Sequence, residues 1–335
     1  MRRMRLFFDP HQLAHAPTQE WHNGGWVPYA EHPGRARAIL DAVGQTEPPK
    51  DFGDAPLLRV HSADYLAFLK SAHERWEGAG RSGDALGYVW PVKRRPLNLL
   101  RVDALLGQYS IDASTPIGPG TWNGAYWSAQ SAANAAEAVL AGESLAFALC
   151  RPPGHHAGAA YLGGYCYLNN SAIAAEAAVA AGKRVAILDI DYHHGNGTQD
   201  IFYSRGDVLF TSLHADPATD YPFYWGHADE TGEGAGKGAT LNLPLPQGTG
   251  IDPYRRAMEQ ALDRIAEFRP DVLVCSYGAD TFIDDPISHF TLETRDYRTL
   301  ARDIAGLELP TIVVMEGGYA AEALGTNVAH FLSGF

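Results

Sequence analysis

Asp189, Asp191 and His193 stand two apart in Val185-Ala-Ile-Leu-Asp189-Ile-Asp191-Tyr-His193-His194-Gly-Asn196-Gly-Thr198. The apolar residues 185–188 read as a short buried strand, and along an extended chain alternate side chains share a face. Two carboxylates and an imidazole thus point the same way at a strand end. That is half of a site for a hard or borderline metal. The plain alternative is a solvated strand-to-loop junction, because Asp, His, Asn and Gly are all good loop residues. A catalytic zinc wants three protein ligands and an open position for water. Asp280, behind Tyr277-Gly-Ala, is the best candidate for the third. Two carboxylates and one neutral imidazole would cancel the charge of Zn²⁺. The tandem His155-His156 behind Arg151-Pro-Pro-Gly would place a base beside the metal's water.

The rest of the chain must position these groups. An apolar strand, Leu145 to Cys150, runs into Arg151-Pro-Pro-Gly-His-His156, and Val185 to Ile190 runs into the segment above. Val208 to Leu213 leads to His214-Ala-Asp216, Val272 to Ser276 to Tyr277-Gly-Ala-Asp280, and Thr311 to Met315 to Glu316-Gly-Gly-Tyr319. Helical stretches separate them: Trp122 to Leu140, Asn170 to Ala181, Pro253 to Phe268 and Thr294 to Ile304. Short buried runs alternating with helices predict an α/β chain with a parallel sheet covered on both faces. In such sheets ligands bind at the carboxyl ends of the strands. Parallel order brings all five strand ends to one edge, which makes that edge an active site.

Nearer the N-terminus, Leu6 to Phe8 reads as a first strand and 11–33 as a polar and aromatic loop. Arg35 to Val43 and Ser62 to Glu77 have a helical rhythm. From Gly78 to Pro119 the pattern dissolves into Gly, Pro, Arg and scattered aromatics, an ordered loop packed on something such as another subunit. No repeat or low-complexity linker breaks the chain, so 1–335 reads as one domain. Lys+Arg of 26 against Asp+Glu of 39 gives a net charge of −13, which argues against a nucleic-acid partner. Three cysteines, odd in number and without C-x-x-C spacing, suit a reduced cytoplasmic protein. No apolar run approaches a membrane span, and Leu6-Phe7-Phe8 is too short for a signal-peptide core.

Arg151-Pro-Pro-Gly-His-His156, Gly164-Tyr-Cys-Tyr-Leu-Asn169, Asp189 through Thr198, Ser212-Leu-His214, Gly278-Ala-Asp280 and Glu316-Gly-Gly-Tyr319 together resemble the zinc-dependent histone deacetylase superfamily. Within it, the chain looks most like the bacterial acetylpolyamine amidohydrolases. The resemblance implies the arginase/deacetylase fold, a single domain with an eight-stranded parallel sheet and helices on both faces. It implies Asp191, His193 and Asp280 as zinc ligands, with Fe²⁺ as the alternative metal. It also implies a potassium ion held by the Asp189 and Ser212 side chains and by backbone oxygens of Asp191, His193 and Leu213. The family pattern pairs His155 with Asp189 and His156 with Asn196. A carboxylate partner raises a histidine's pKa more than an amide does, so His156 is the expected neutral base and His155 the cationic helper. Tyr319 is the residue expected to hydrogen-bond the substrate carbonyl.

Tyr165, beside Gly164, and Tyr221 match positions that line the family's substrate tunnel, where Phe is more usual. The 78–119 segment looks like the insertion that narrows the tunnel across a homodimer, admitting slender acetylated amines and excluding peptides. One departure stands out. Polyamine-type members carry a Glu before the Pro-Gly-Thr-Trp motif, and this chain has Ser114 there. Asp112 and Asp103 are the nearby carboxylates for a distal ammonium. Tyr277 stands where Leu is common and is expected at the pocket rim. The leading expectation is therefore a zinc hydrolase for small acetylated amines. The competing readings are a lysine deacylase, an amidase for another small molecule, an arginase-like dimanganese enzyme, and a non-catalytic binding homologue.

Overall fold

A computed structural model describes residues 4–95 and 97–335; residues 1–3, and 96 inside the 78–119 segment, lie outside the described residues. The strands are β1 (Arg5–Phe7), β2 (Gln19–His22), β3 (Gly25–Pro28), β4 (Leu145–Ala148), β5 (Val185–Asp189), β6 (Val208–Ala215), β7 (Thr240–Leu245), β8 (Val272–Tyr277) and β9 (Thr311–Met315). The first helices are α1 (Gly34–Val43), α2 (Ala55–Leu58), α3 (Ala63–Gly78), α4 (Val102–Tyr109) and α5 (Thr121–Leu140). They are followed by α6 (Asn170–Ala180), α7 (Asn196–Phe202), α8 (Ile251–Phe268), α9 (Thr294–Ala305) and α10 (Ala321–Leu332).

The main sheet has the order β1-β4-β9-β8-β5-β6-β7 and every pairing in it is parallel. Side chains along each strand alternate between two cores. Val185, Ile187, Val208, Phe210, Val274, Ile312 and Val314 face the layer of α3, α5 and α6. Ala186, Leu188, Leu209, Leu213, Leu273, Cys275, Val313 and Met315 face α1, α8, α9 and α10. Burial on both faces is why these strands are continuous apolar runs. Helix ends follow local chemistry: Ser62 caps α3 by accepting from the Tyr65 N–H, and Asn169 caps α6 by accepting from Ala172.

The eight-stranded sheet expected from the resemblance is corrected to seven strands among the described residues. Outside β1, Phe8 N–H donates to Glu47 O at 3.1 Å and Glu47 N–H to Leu6 O at 2.6 Å, a one-residue parallel bridge. Pro48 and Pro49 follow and have no N–H to donate, so the bridge does not grow into a strand. Tyr277 also departs from expectation. Alternation along β8 turns it away from the pocket rim into the second core, where it is fully buried and its ring stacks on Phe331 at 3.9 Å.

Candidate active site

β5 and β8 are neighbours in register, with Asp189 opposite Ser276, so the chain leaving each strand meets at the sheet's carboxyl edge. Asp191, His193 and Asp280 converge there, with one ligand atom from each within 4.8 Å of the others. His193 Nδ1 lies 3.1 Å from Asp280 Oδ2 and 3.4 Å from Asp191 Oδ1. Gly317 N–H donates to Asp191 Oδ2 at 2.7 Å, and Tyr192 N–H to Asp280 Oδ1 at 2.9 Å, which fixes both carboxylates. A Cβ on Gly278 or Gly317 would overlap the Asp191 and Asp280 oxygens, so only glycine leaves room for this approach.

Two buried carboxylates beside an imidazole are electrostatically unbalanced without a cation. Burial and the Asp191 charge push Asp280 up to about 7. Burial opposes a charge on His193, but Asp191 and Asp280 outweigh it and hold the ring at about 10. A divalent ion relieves this imbalance, and two oxygens with one imidazole nitrogen suit zinc or iron. These residues fit the metal the family implies.

The tandem histidines lie beside this cluster. His155 Nδ1 is 3.0 Å from Asp189 Oδ2, and its Nε2 is 3.7 Å from Asp191 Oδ1. Burial works against charging His155, yet the Asp191 and Asp189 carboxylates prevail and raise it to about 10. His156 Nδ1 is 2.6 Å from Asn196 Oδ1. Burial, reinforced by His155 and His193, drives His156 well below its usual range, so it is the neutral member of the pair. Asp189 also accepts from the Asp191 N–H at 3.2 Å. Across the β5–β6 ladder it faces Ser212, whose Oγ is 2.8 Å from His214 Nδ1, with Leu213 next along the strand.

Tyr319 follows β9 and packs with Tyr165 and Tyr29; its ring centroid is 5.6 Å from that of Tyr165. Asp285 accepts from its backbone N–H at 2.6 Å. The buried Arg35 guanidinium, paired with Glu31, donates to Gly318 O and Glu316 O and so braces the segment before Tyr319. Burial keeps the Tyr319 hydroxyl well above its usual pKa, so it stays a proton donor. Glu316, which opens the Glu316-Gly-Gly-Tyr319 segment, is fully buried. It accepts from the N–H groups of Gly154 and His155 and from the hydroxyls of Ser171 and Ser276, which locks the histidine turn to the sheet.

Of the expected substrate contacts, Tyr165, Gly164, Tyr221 and Asp112 meet at this site. Asp112 accepts from the Tyr221 hydroxyl at 2.8 Å and the Gly164 N–H at 2.7 Å, and Gly164 lies against the His156 ring. The Asp112 carboxylate is thus occupied in tying the wall together. Asp103 is not brought to the site: its oxygens are taken by Arg81 and Arg101. A different carboxylate is present instead. Glu20 on β2 accepts from the Tyr165 hydroxyl at 2.9 Å. The turn Asn23-Gly24, with φ of 48° and 82°, was the available signal for the β2–β3 hairpin that carries it.

A histone deacetylase domain model matches residues 29–335, and the chain belongs to the histone deacetylase family of hydrolases. Acetylpolyamine amidohydrolase 1 of Pseudomonas aeruginosa is 49% identical over 99% of this chain and 98% of its own. The acetylpolyamine amidohydrolase of Mycoplana ramosa is 47% identical over 98% of each chain. The crystal structure of an acetylpolyamine aminohydrolase from Burkholderia pseudomallei superposes with a TM-score of 0.96 at 42% identity, covering 99% of this chain and 98% of that one.

Proposed function

We propose that this chain is a metal-dependent amide hydrolase that removes acetyl groups from small amines, acetylpolyamines first. The observation that carries the reading is the convergence of Asp191, His193 and Asp280 beside the neutral His156 and the protonated Tyr319. Asp191, His193 and Asp280 would hold a zinc or iron ion. Bound there, it would supply Lewis acidity and lower the pKa of water toward neutrality. The Tyr319 hydroxyl donates to the scissile carbonyl and, as charge grows on that oxygen, to the developing oxyanion. His156, neutral and with Nδ1 engaged by Asn196, takes a proton from the attacking water and returns it to the leaving amine. His155, cationic on Asp189, stabilises negative charge nearby. Asp189, Ser212 and backbone oxygens such as that of Leu213 would supply the hard oxygen ligands that potassium takes.

For substrate choice, the support is Glu20. Its Oε2 is buried without a hydrogen-bond partner, beside the Tyr165 hydroxyl. A cationic amine further along the substrate would satisfy it. The exposed Tyr88, Val89, Val92, Leu97 and Leu100 of the 78–119 segment support a homodimer formed there. The three free, buried cysteines suit a cytoplasmic setting, and no helix among the described residues is long and apolar enough to cross a membrane.

The test is acetate release from N-acetylputrescine by protein stripped with a chelator and then reloaded with Zn²⁺. Turnover that returns with the metal supports the reading; none in the reloaded protein overturns it.

A further inference from the structure

Asn196 has two ways to present its amide to His156, and only one serves a general base. If Oδ1 faces His156 Nδ1, that nitrogen carries the proton and Nε2 keeps the lone pair; the flipped amide reverses this. The direction is set beyond the two side chains, by the His156 carbonyl and by Tyr161. Tyr161, five residues beyond His156, donates its hydroxyl proton to Asp200 Oδ2 at 2.6 Å. A phenol has one proton, so its oxygen is left to Asn196 as an acceptor. Asn196 Nδ2 accordingly lies 3.3 Å from the Tyr161 oxygen and 3.4 Å from the His156 carbonyl oxygen, both acceptors. A flip would put the Asn196 oxygen against those two oxygens. Oδ1 is therefore turned to His156 Nδ1, at 2.6 Å.

We propose that Tyr161, anchored by Asp200, is a positioning residue that sets the ring tautomer of His156 through the Asn196 amide. The chain of donors runs one way: His156 Nδ1–H to Asn196 Oδ1, Asn196 Nδ2–H to Tyr161, and Tyr161 O–H to Asp200. Asn196 and Asp200 lie four apart on α7, hence on one face of that helix. Burial and the Asp200 charge raise the Tyr161 hydroxyl well above its usual pKa, so its proton stays in place. The Arg94 guanidinium carbon, from the 78–119 segment, is 5.9 Å from the centroid of the Tyr161 ring. Arg94 also donates to Gln108 O and Ser110 O, which fastens it to its own segment. The ring that orients the amide is thereby backed by the insertion.

The role of His156 rests on the amide-hydrolase reading; the tautomer does not. In zinc-loaded protein with ¹⁵N-labelled histidine, the His156 ring nitrogens are identified by their loss in His156→Ala. They are expected to show a single Nδ1–H form, and Tyr161→Phe to convert it to a mixture. Asp200→Asn, whose amide can donate as well as accept, is expected to move the signals the same way. With N-acetylputrescine, Tyr161→Phe is expected to lower kcat about tenfold and leave KM within about twofold. In an Asn196→Asp background both side-chain oxygens accept whichever way the group turns, so adding Tyr161→Phe should change kcat less than about twofold. Equal losses in both backgrounds, or an unchanged His156 ring spectrum in Tyr161→Phe, would overturn the proposal. If N-acetylputrescine is not hydrolysed at all, the substrate reading fails and the ring spectrum still decides this one.

Discussion

The Tyr165 hydroxyl donates to Glu20 Oε1 at 2.9 Å, while Glu20 Oε2 is buried without a side-chain hydrogen-bond partner. Burial is the main cause that pushes Glu20 up to about 7; Tyr165 and the Ala30 backbone pull back only in part, and Asp112 adds to the rise. A cationic substrate needs the ionised form. For N-acetylputrescine, kcat/KM should rise with pH through about 7, and Glu20→Gln should flatten that rise and raise KM about tenfold or more. A neutral analogue, N-butylacetamide, should be hydrolysed equally by both proteins. Comparing the two substrates across pH checks this.

The same carboxyl makes an opposite prediction for stability. Its folded pKa of about 7 lies above the usual 4.5, so the folded state holds the proton more tightly. The free protein must then lose stability as pH rises from about 4.5 through about 7. Glu20→Gln should match the parent at about pH 4 and below and exceed it at pH 8, by on the order of 1–3 kcal/mol. Melting curves at the two pH values test the sign.

Gly278 and Gly317 leave the space into which the Asp191 and Asp280 oxygens fit. Gly278→Ala or Gly317→Ala should displace those oxygens and weaken metal binding about tenfold or more. Metal content by elemental analysis, with circular dichroism to confirm folding, reads this out.

In the proposed mechanism His156 and Tyr319 act on the reacting atoms and not on the metal. His156→Ala should lower kcat about 10²–10⁴-fold, and Tyr319→Phe about 10²–10³-fold. Both variants should keep full metal content. A near-parental rate in either contradicts its assignment.

Val92 and Leu100 are fully or largely exposed apolar side chains on the 78–119 segment. Leu100→Asp, or Val92→Asp, should convert a dimer to a monomer in sedimentation. A parent that is itself monomeric contradicts the homodimer.

Much of the site could be read from the chain because its chemistry is concentrated at strand ends. Alternation placed Asp189, Asp191 and His193 on one face, and β9 spans the residues its apolar run marks out. Other elements were hidden for physical reasons. β2 and β3 form a two-stranded hairpin outside the main sheet, exposed along alternate positions, and 11–33 therefore reads as loop despite its Asn-Gly turn. Glu20 was lost with it. β7 is an edge strand carrying Pro244, which weakens its strand signal, and α4 lies inside a segment dominated by Gly, Pro and Arg. In the sequence Asp103 is a free carboxylate near Asp112, but α4 sets it between Arg81 and Arg101. Tyr161 and Asp200 carry no motif, and their relation to Asn196 exists only in three dimensions.

The most direct test is acetate release by the zinc-loaded protein from N-acetylputrescine, an acetylspermidine and an acetyl-lysine peptide, side by side. The account predicts turnover of both amines and a silent peptide. Peptide turnover at a comparable rate, or silence on all three with the metal bound, would contradict it.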